Sequence, residues 1–282
     1  MLIGYNTNGL AHHDPFEAIE LLAEIGYRSV ALTLDHGRLN PFADGFKSQL
    51  ASLRRLLERL KLRSVVETGA RYLLDPRRKH EPTLVSPDKV ARDRRIAFLK
   101  AAIDAAHELQ SDCVSLWSGV VHDGADFATA LGRLVAGLEP ALDYARGKNV
   151  VIGFEPEPGM LIDTMARYEE LDRQIGHPLF QLTLDIGHLH CLGETPIAAQ
   201  IHRWQKRLVN VHIEDMRAGV HEHLMFGEGE IDFPPVLEAL AASGYEGGVH
   251  VELSRHSHIG PDAARQAFKF FNSLWADCAR KP

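Results

Sequence analysis

The chain has 282 residues, 45% of them hydrophobic, with 31 lysines and arginines against 38 aspartates and glutamates, giving a net charge of -7. The length suits one α/β barrel of about 250 residues, and the acidic balance disfavours extended contact with nucleic acid. No apolar run approaches the ~20 residues that span a bilayer, no basic segment precedes a long apolar stretch at the start, and Cys113, Cys191 and Cys278 lack CxxC spacing; together these predict a cytoplasmic protein without membrane contact, disulfides or thiolate metal ligands.

In chain order, strand-like apolar runs alternate with helical patterns. LIGY is followed by PFEAIELLAEIG (15–26), which opens after Asp14 as a capping residue, has proline at its first helical position and stops at Gly26. SVALTL is followed by FKSQLASLRRLLERLKL (46–62), with leucines on one face and arginines on the other. SVVE and CVSLW come next, each followed by a helix, at 87–109 and 127–146. The runs VVIGFE, QLTLD, LVNVH and GGVHVE are followed by helices at 163–175, 196–207, 234–243 and 262–279. The arginines and lysines of the second and third helices read as solvated faces.

Eight such units predict a parallel sheet with helical crossovers. A doubly wound open sheet competes with a closed (β/α)8 TIM barrel. The barrel is preferred because polar strand ends come from strands far apart in order, which a ring brings together. No linker or low-complexity tract divides the chain, so residues 1–282 read as one domain. Two connections, 69–87 and 216–233, exceed what a crossover needs, and long loops at strand C-termini shape pockets.

The last four strands each end on a side chain that ligates metals: Glu155, Asp185, His212 and Glu252. Three carboxylates and one imidazole make a mostly oxygen site for one divalent cation, favouring Mn²⁺ or Mg²⁺ with Zn²⁺ also open. A cation bridging two adjacent substrate oxygens stabilises the charge that builds when a neighbouring carbon loses its proton. Glu155 and Glu252, from strands five and eight, are then the candidate acid/base pair. A single glutamate at a strand end is as often a cap or salt-bridge partner, and only the four together point to a metal.

Other residues keep two readings each. Glu157 is either a carboxylate supporting the ligands or part of an exposed EPEP turn, and His190 either serves the pocket or faces the helix behind it. Asp215 either approaches the metal or caps the loop after strand seven. Arg71, Tyr72, Arg77, Arg78, Lys79 and His80 either hold a phosphate or carboxylate or form a solvated loop. Glu67 bonds substrate hydroxyls or fixes Arg71; Trp117 and Tyr5 stack on a substrate or simply pack; His122 reaches the pocket or lies in a surface turn. No GxGxxG, GxxxxGK[ST] or GxSxG motif is present, which sets aside dinucleotide, nucleotide-triphosphate and serine-hydrolase mechanisms.

FEPEPG, LDIGH, VHIED, HLMFGEGEID and VHVEL, in that order, resemble the xylose-isomerase-like barrel superfamily of sugar and sugar-phosphate isomerases and epimerases, which also includes endonuclease IV and inosose dehydratase. The likeness runs through nearly the whole chain, with its specific motifs in 154–252. It implies that Glu155, Asp185, His212 and Glu252 bind one manganese, magnesium or cobalt ion, that the two glutamates exchange the substrate proton, and that His188 and Arg217 contact substrate. Against endonuclease IV, His221 replaces an aspartate and His223 retains a histidine, while Glu67 and Trp117 stand where further histidines are needed. His223 is therefore expected to organise the pocket, with a second metal on His221 and His223, or two unliganded rings, as alternatives.

The expected activity is a metal-dependent isomerase or epimerase acting through an enediolate on a sugar, keto-sugar acid or sugar phosphate. A lyase (dehydratase or decarboxylase), a repair phosphodiesterase and a noncatalytic sugar-binding barrel are the alternatives. The expected partner is a small carbohydrate, anionic or neutral, and relatives imply dimers or tetramers.

Overall fold

The computed structural model describes residues 1–37 and 39–278, with side chains through Trp275, so position 279 of the expected last helix and the Cys278 side chain lie outside the described residues. Eight strands form a closed parallel barrel: β1 (Leu2–Asn6), β2 (Ser29–Thr33), β3 (Arg63–Glu67), β4 (Val114–Leu116), β5 (Ile152–Phe154), β6 (Phe180–Asp185), β7 (Leu208–Ile213) and, after a hairpin β8 (Asp215–Arg217) and β9 (Val220–Leu224), β10 (Gly248–Val251). Their order around the ring is β1-β10-β7-β6-β5-β4-β3-β2, as the alternation of runs predicts.

The helices are α1 (Pro15–Ile25), α2 (Phe46–Leu60), α3 (Lys89–Leu109), α4 (Phe127–Lys148), α5 (Met165–Ile175), α6 (Ile186–Cys191), α7 (Ile197–Trp204), α8 (Phe233–Ala242) and α9 (Gly260–Cys278). The Asp14 carboxylate accepts from the N–H groups of Phe16 and Glu17 at the start of α1, and Gly26 ends it at φ 124°, a conformation that disfavours a Cβ. Asp88 and Asp126 cap α3 and α4 in the same way. Neither the one-and-a-half-turn α6 nor the β8–β9 hairpin was expected. The first is too short to impose a period on the sequence, and the polar VHEHL of β9 offers no apolar run.

The chain divides into two compact units, Met1–Leu32 with Leu56–Ser64 and Leu184–Pro282, and Thr33–Arg55 with Val65–Thr183. In the first, β10 lies between β1 and β7, pairing Tyr5 with Val251 and His250 with His212. Its core joins Tyr5, Tyr27 and Phe268 edge to face, with Tyr5 fully buried, so that ring serves packing. In the second, β4 pairs with β3 and β5, and Phe154, Tyr168 and Phe180 cluster at centroid distances of 5.4–6.3 Å.

One expectation fails outright. Arg95, on the third helix and expected to face solvent, is 1% exposed. Its guanidinium donates to the Thr68 carbonyl at 2.8 Å and stacks on Trp117 at 4.7 Å. Helical periodicity marks which face a residue occupies, but it cannot say whether a loop folds over that face.

Candidate active site

Strand alternation explains how the first unit collects its polar groups. Along β7, Asn210 and His212 share one face, and Glu214 continues it two residues on; His250 and Glu252 do the same at β10. Asn210, His212, Glu214 and His250 are all buried.

Asp185 closes β6 and caps α6, its Oδ1 accepting from the His188 N–H at 2.8 Å. That bond aims the carboxylate and leaves Oδ2 buried without a hydrogen-bond donor, 3.7 Å from His188 Nε2. Glu252 follows β10 and accepts from Asn8 Nδ2 at 2.7 Å through Oε1, while its Oε2 lies 3.0 Å from His212 Nδ1. Asp185, His212 and Glu252 thus each bring a ligand atom within 4.8 Å of the others.

Burial pushes the Glu252 carboxyl up, but the charge and hydrogen bond of His212, then His223 and Asn8, outweigh it and hold the group well below the usual range. Asp185 likewise stays low against its burial because His188, His223 and His212 surround it. Burial draws His188 down to about 4, so its ring is neutral near pH 7 and has a lone pair to offer. An orphaned buried carboxylate oxygen, a second ionised carboxylate and an imidazole in one place fit a divalent cation with oxygen-rich coordination.

A second group sits beside them. His188, His221 and His223 offer ligand atoms within 4.8 Å of one another, with ring centroids 4.8 Å apart for His188–His221 and 5.9 Å for His188–His223. His223 Nδ1 lies 3.1 Å from the Glu252 carbonyl and 3.6 Å from Glu214 Oε2, tying β9 to the end of β10.

Glu214 escaped the sequence reading. It is fully buried and neither of its oxygens has a hydrogen-bond donor; burial, then Asp185 and Glu252, push its carboxyl well above the usual range. A Cβ on Gly187 would overlap Glu214 Oε1. Asn8 was missed as well, because it lies in a 3-10 turn 244 residues from Glu252. Glu214 had a signal, the alternation Asn210, His212, Glu214; Asn8 had none.

The other candidates have surroundings of their own. Arg217 is exposed and donates to the Glu228 carbonyl at 3.0 Å. His190 Nε2 lies 3.8 Å from Glu230. Asp215 settles as a loop cap, its carboxylate accepting from the N–H groups of Met216, Gly227, Gly229 and Ile231. In the second unit, Glu67 closes β3 and Glu155 follows β5, both buried. Arg71 lies 3.6 Å from Asp35, Trp117 contacts His80 edge to face at 5.4 Å, and His122 Nε2 is 2.9 Å from Glu81.

The model of the xylose isomerase-like TIM barrel matches residues 19–274. The chain belongs to that family. L-ribulose-5-phosphate 3-epimerase UlaE of Shigella flexneri serotype 5b (strain 8401) is 28% identical over 219 residues, covering 76% of this chain and 75% of that protein. The Escherichia coli (strain SMS-3-5 / SECEC) enzyme of the same name is 26% identical over 251 residues, covering 88% and 84%. Among solved structures, an L-ribulose 3-epimerase superposes with TM-score 0.77 at 18% identity, over 99% of this chain and 96% of that one. The IOLI protein with a bound zinc atom gives 0.78 at 17%, over 97% and 98%. At these identities the two structures speak to the fold of this family member. Among its described residues, no helix is long and apolar enough to cross a membrane.

Proposed function

We propose that this family member is a divalent-cation-dependent sugar epimerase or isomerase that moves a proton on a carbon next to a ketone. The observation that carries the proposal is the meeting of the buried Asp185 and His212 with the half-buried Glu252 from three strand ends, with Asp185 Oδ2 left without a donor. Glu155, buried directly after β5, is the fourth ligand in this reading, on the chemistry of the strand ends. Relatives named as L-ribulose-5-phosphate 3-epimerases support a ketose or ketose phosphate as substrate. The mostly oxygen donor set favours Mn²⁺ or Mg²⁺, with Co²⁺ and Zn²⁺ admissible.

When bound, the cation supplies polarisation of two adjacent substrate oxygens. The chain supplies the rest. Asn8, donating to Oε1, helps keep Glu252 in its carboxylate form, the form that accepts a proton. Glu155 exchanges the proton on the opposite face, and removal on one face with return on the other inverts the carbon. His188 and His223 hold substrate hydroxyls, with Arg217, Glu67, Arg71 and Trp117 as further contacts. The partner is a small carbohydrate and not nucleic acid, and the acidic charge and cysteine usage accord with a cytoplasmic enzyme.

The test is deuterium wash-in from D₂O next to the ketone of ketopentoses and their 5-phosphates, on protein whose metal content has been measured by elemental mass spectrometry. Wild type should carry about one divalent ion per chain and exchange deuterium. Glu252→Gln should lose a factor of about 10²–10⁴ in exchange while still binding the sugar. Near-normal exchange in Glu252→Gln, or unchanged metal content in Asp185→Asn and His212→Ala, removes the proposal.

A further inference from the structure

Beside His212 lie three uncharged side chains that the proposed chemistry does not use, Asn210, His250 and Ser29, each 0% exposed. They form a chain of hydrogen bonds. Asn210 Nδ2 is 3.1 Å from His212 Nε2, Asn210 Oδ1 is 2.8 Å from His250 Nδ1, and His250 Nε2 is 2.9 Å from Ser29 Oγ. Ser29 Oγ in turn lies 3.3 Å from the Arg63 carbonyl oxygen. The core makes room for the His250 ring, since a Cβ on Gly4 or on Gly248 would overlap it. An apolar side chain would fill that space without the cost of burying a polar ring, so the imidazole calls for a reason.

The hydrogens of such a chain can run in two directions. An amide nitrogen only donates, an amide oxygen only accepts, and a neutral imidazole has one nitrogen of each kind. With the Asn210 nitrogen toward His212, Nε2 of His212 accepts and the His212 hydrogen sits on Nδ1, facing Glu252. Neither ring nitrogen then has a lone pair to give a cation. Ser29 must also direct its one hydrogen to His250 Nε2 and away from Arg63.

Half a turn of the amide exchanges its nitrogen and oxygen, keeps its shape and reverses every bond. Ser29 then donates to the Arg63 carbonyl, His250 Nε2 donates to Ser29, Asn210 donates to His250 Nδ1, and His212 Nε2 donates to the Asn210 oxygen. Only this direction uses the Arg63 carbonyl, an acceptor that can never donate. Only this direction frees a lone pair on Nδ1, the nitrogen 3.0 Å from Glu252.

We propose that Asn210, His250 and Ser29 form a positioning relay, anchored at the Arg63 carbonyl, that holds the hydrogen of His212 on Nε2 and turns the Nδ1 lone pair toward the cation. The relay rests on the cation reading given under the proposed function. It acts through His212 and touches no substrate. Its general basis is that the second nitrogen of a metal-bound histidine is fixed by a hydrogen-bond acceptor, which sets the tautomer and raises affinity.

The test reads the tautomer directly, in long-range proton–nitrogen spectra of histidine-labelled protein titrated with Zn²⁺, with His250 assigned through His250→Gln. His212 Nδ1 should shift on Zn²⁺ binding, and His250 should carry its hydrogen on Nε2. A response at His212 with the His250 hydrogen on Nδ1 overturns the relay and leaves the cation reading standing. If His212 responds to no cation, that reading falls and the relay falls with it. In parallel, Ser29→Ala should weaken Mn²⁺ binding about tenfold or more. A merely structural serine would lower Tm and leave the Mn²⁺ affinity unchanged, which also overturns the relay.

Discussion

The segments 69–87 and 216–233 are both long excursions from strand ends, and each is organised by one buried ion of opposite sign. In the first, the Arg95 cation comes from the following helix, donates to the Thr68 carbonyl and lies against Trp117. Burial draws its guanidinium down to about 10, against the pull of Glu81, so it remains charged at neutral pH. In the second, the Asp215 anion gathers four backbone N–H groups, and a Cβ on Gly229 would overlap its Oδ1. A carboxylate can hold several N–H groups at once and so folds a loop around itself. A guanidinium with one carbonyl partner pins a single point and leaves the rest to separate local hydrogen bonds, such as His80 to the Gly69 carbonyl and Thr83 N–H to Ser86 Oγ, and to packing by Ala70, Leu74, Leu84 and Val85.

That contrast predicts different costs of removal. Asp215→Ala strips four N–H groups of their acceptor, and buried unsatisfied groups cost about 1–3 kcal/mol each before relaxation. We expect a loss of about 3–5 kcal/mol in urea unfolding. A loss below about 1 kcal/mol would show that the hairpin holds the loop alone. Arg95→Met keeps most of the volume and removes one charge-assisted bond, with an expected cost of about 1–2 kcal/mol. Faster amide exchange confined to 69–87 should accompany it, and equal costs for the two variants would erase the contrast.

The first segment should also carry an acid sensitivity that the Asp215 cap does not explain. Burial lowers His80 to about 4, against its bond to the Gly69 carbonyl, which tends to raise it. The unfolded chain binds this proton near pH 6.5 and the folded chain near 4, so stability rises with pH between them. The contribution is complete above about pH 6.5 and is lost as pH falls through about 4. His80→Gln should flatten that part of the stability profile, and an unchanged slope would assign it to other groups. The smallest effect is expected from replacing the exposed Arg77, Arg78 and Lys79 together by serine: within about 0.5 kcal/mol in stability. If the segment meets an anionic sugar, the same variant should raise KM in a salt-dependent way, and an unchanged KM would return these residues to a solvated surface.

Much of the barrel was legible because strands and helices carry periods of 2.0 and 3.6 over many residues, and these are properties of local chain geometry. Asp14, Pro15 and Gly26 announce α1 by the same local logic. The short elements escaped notice because α6 is only a turn and a half long and the polar VHEHL of β9 carries no apolar run. At the site, Asp185, His212 and Glu252 stood out because each follows an apolar run.

The sequence by itself determined the strands, the helices and the residue types at the strand ends, since these depend on neighbours along the chain. Only the tertiary structure decided that Asn8 would reach Glu252, that Glu214 would lie between carboxylates without a donor, and that Arg95 would be buried. It also decided that Ser29, Asn210 and His250 would line up behind His212. Those contacts join residues up to 244 positions apart. Their energies come from burial and hydrogen-bond geometry that exist only once the strands have closed into a ring.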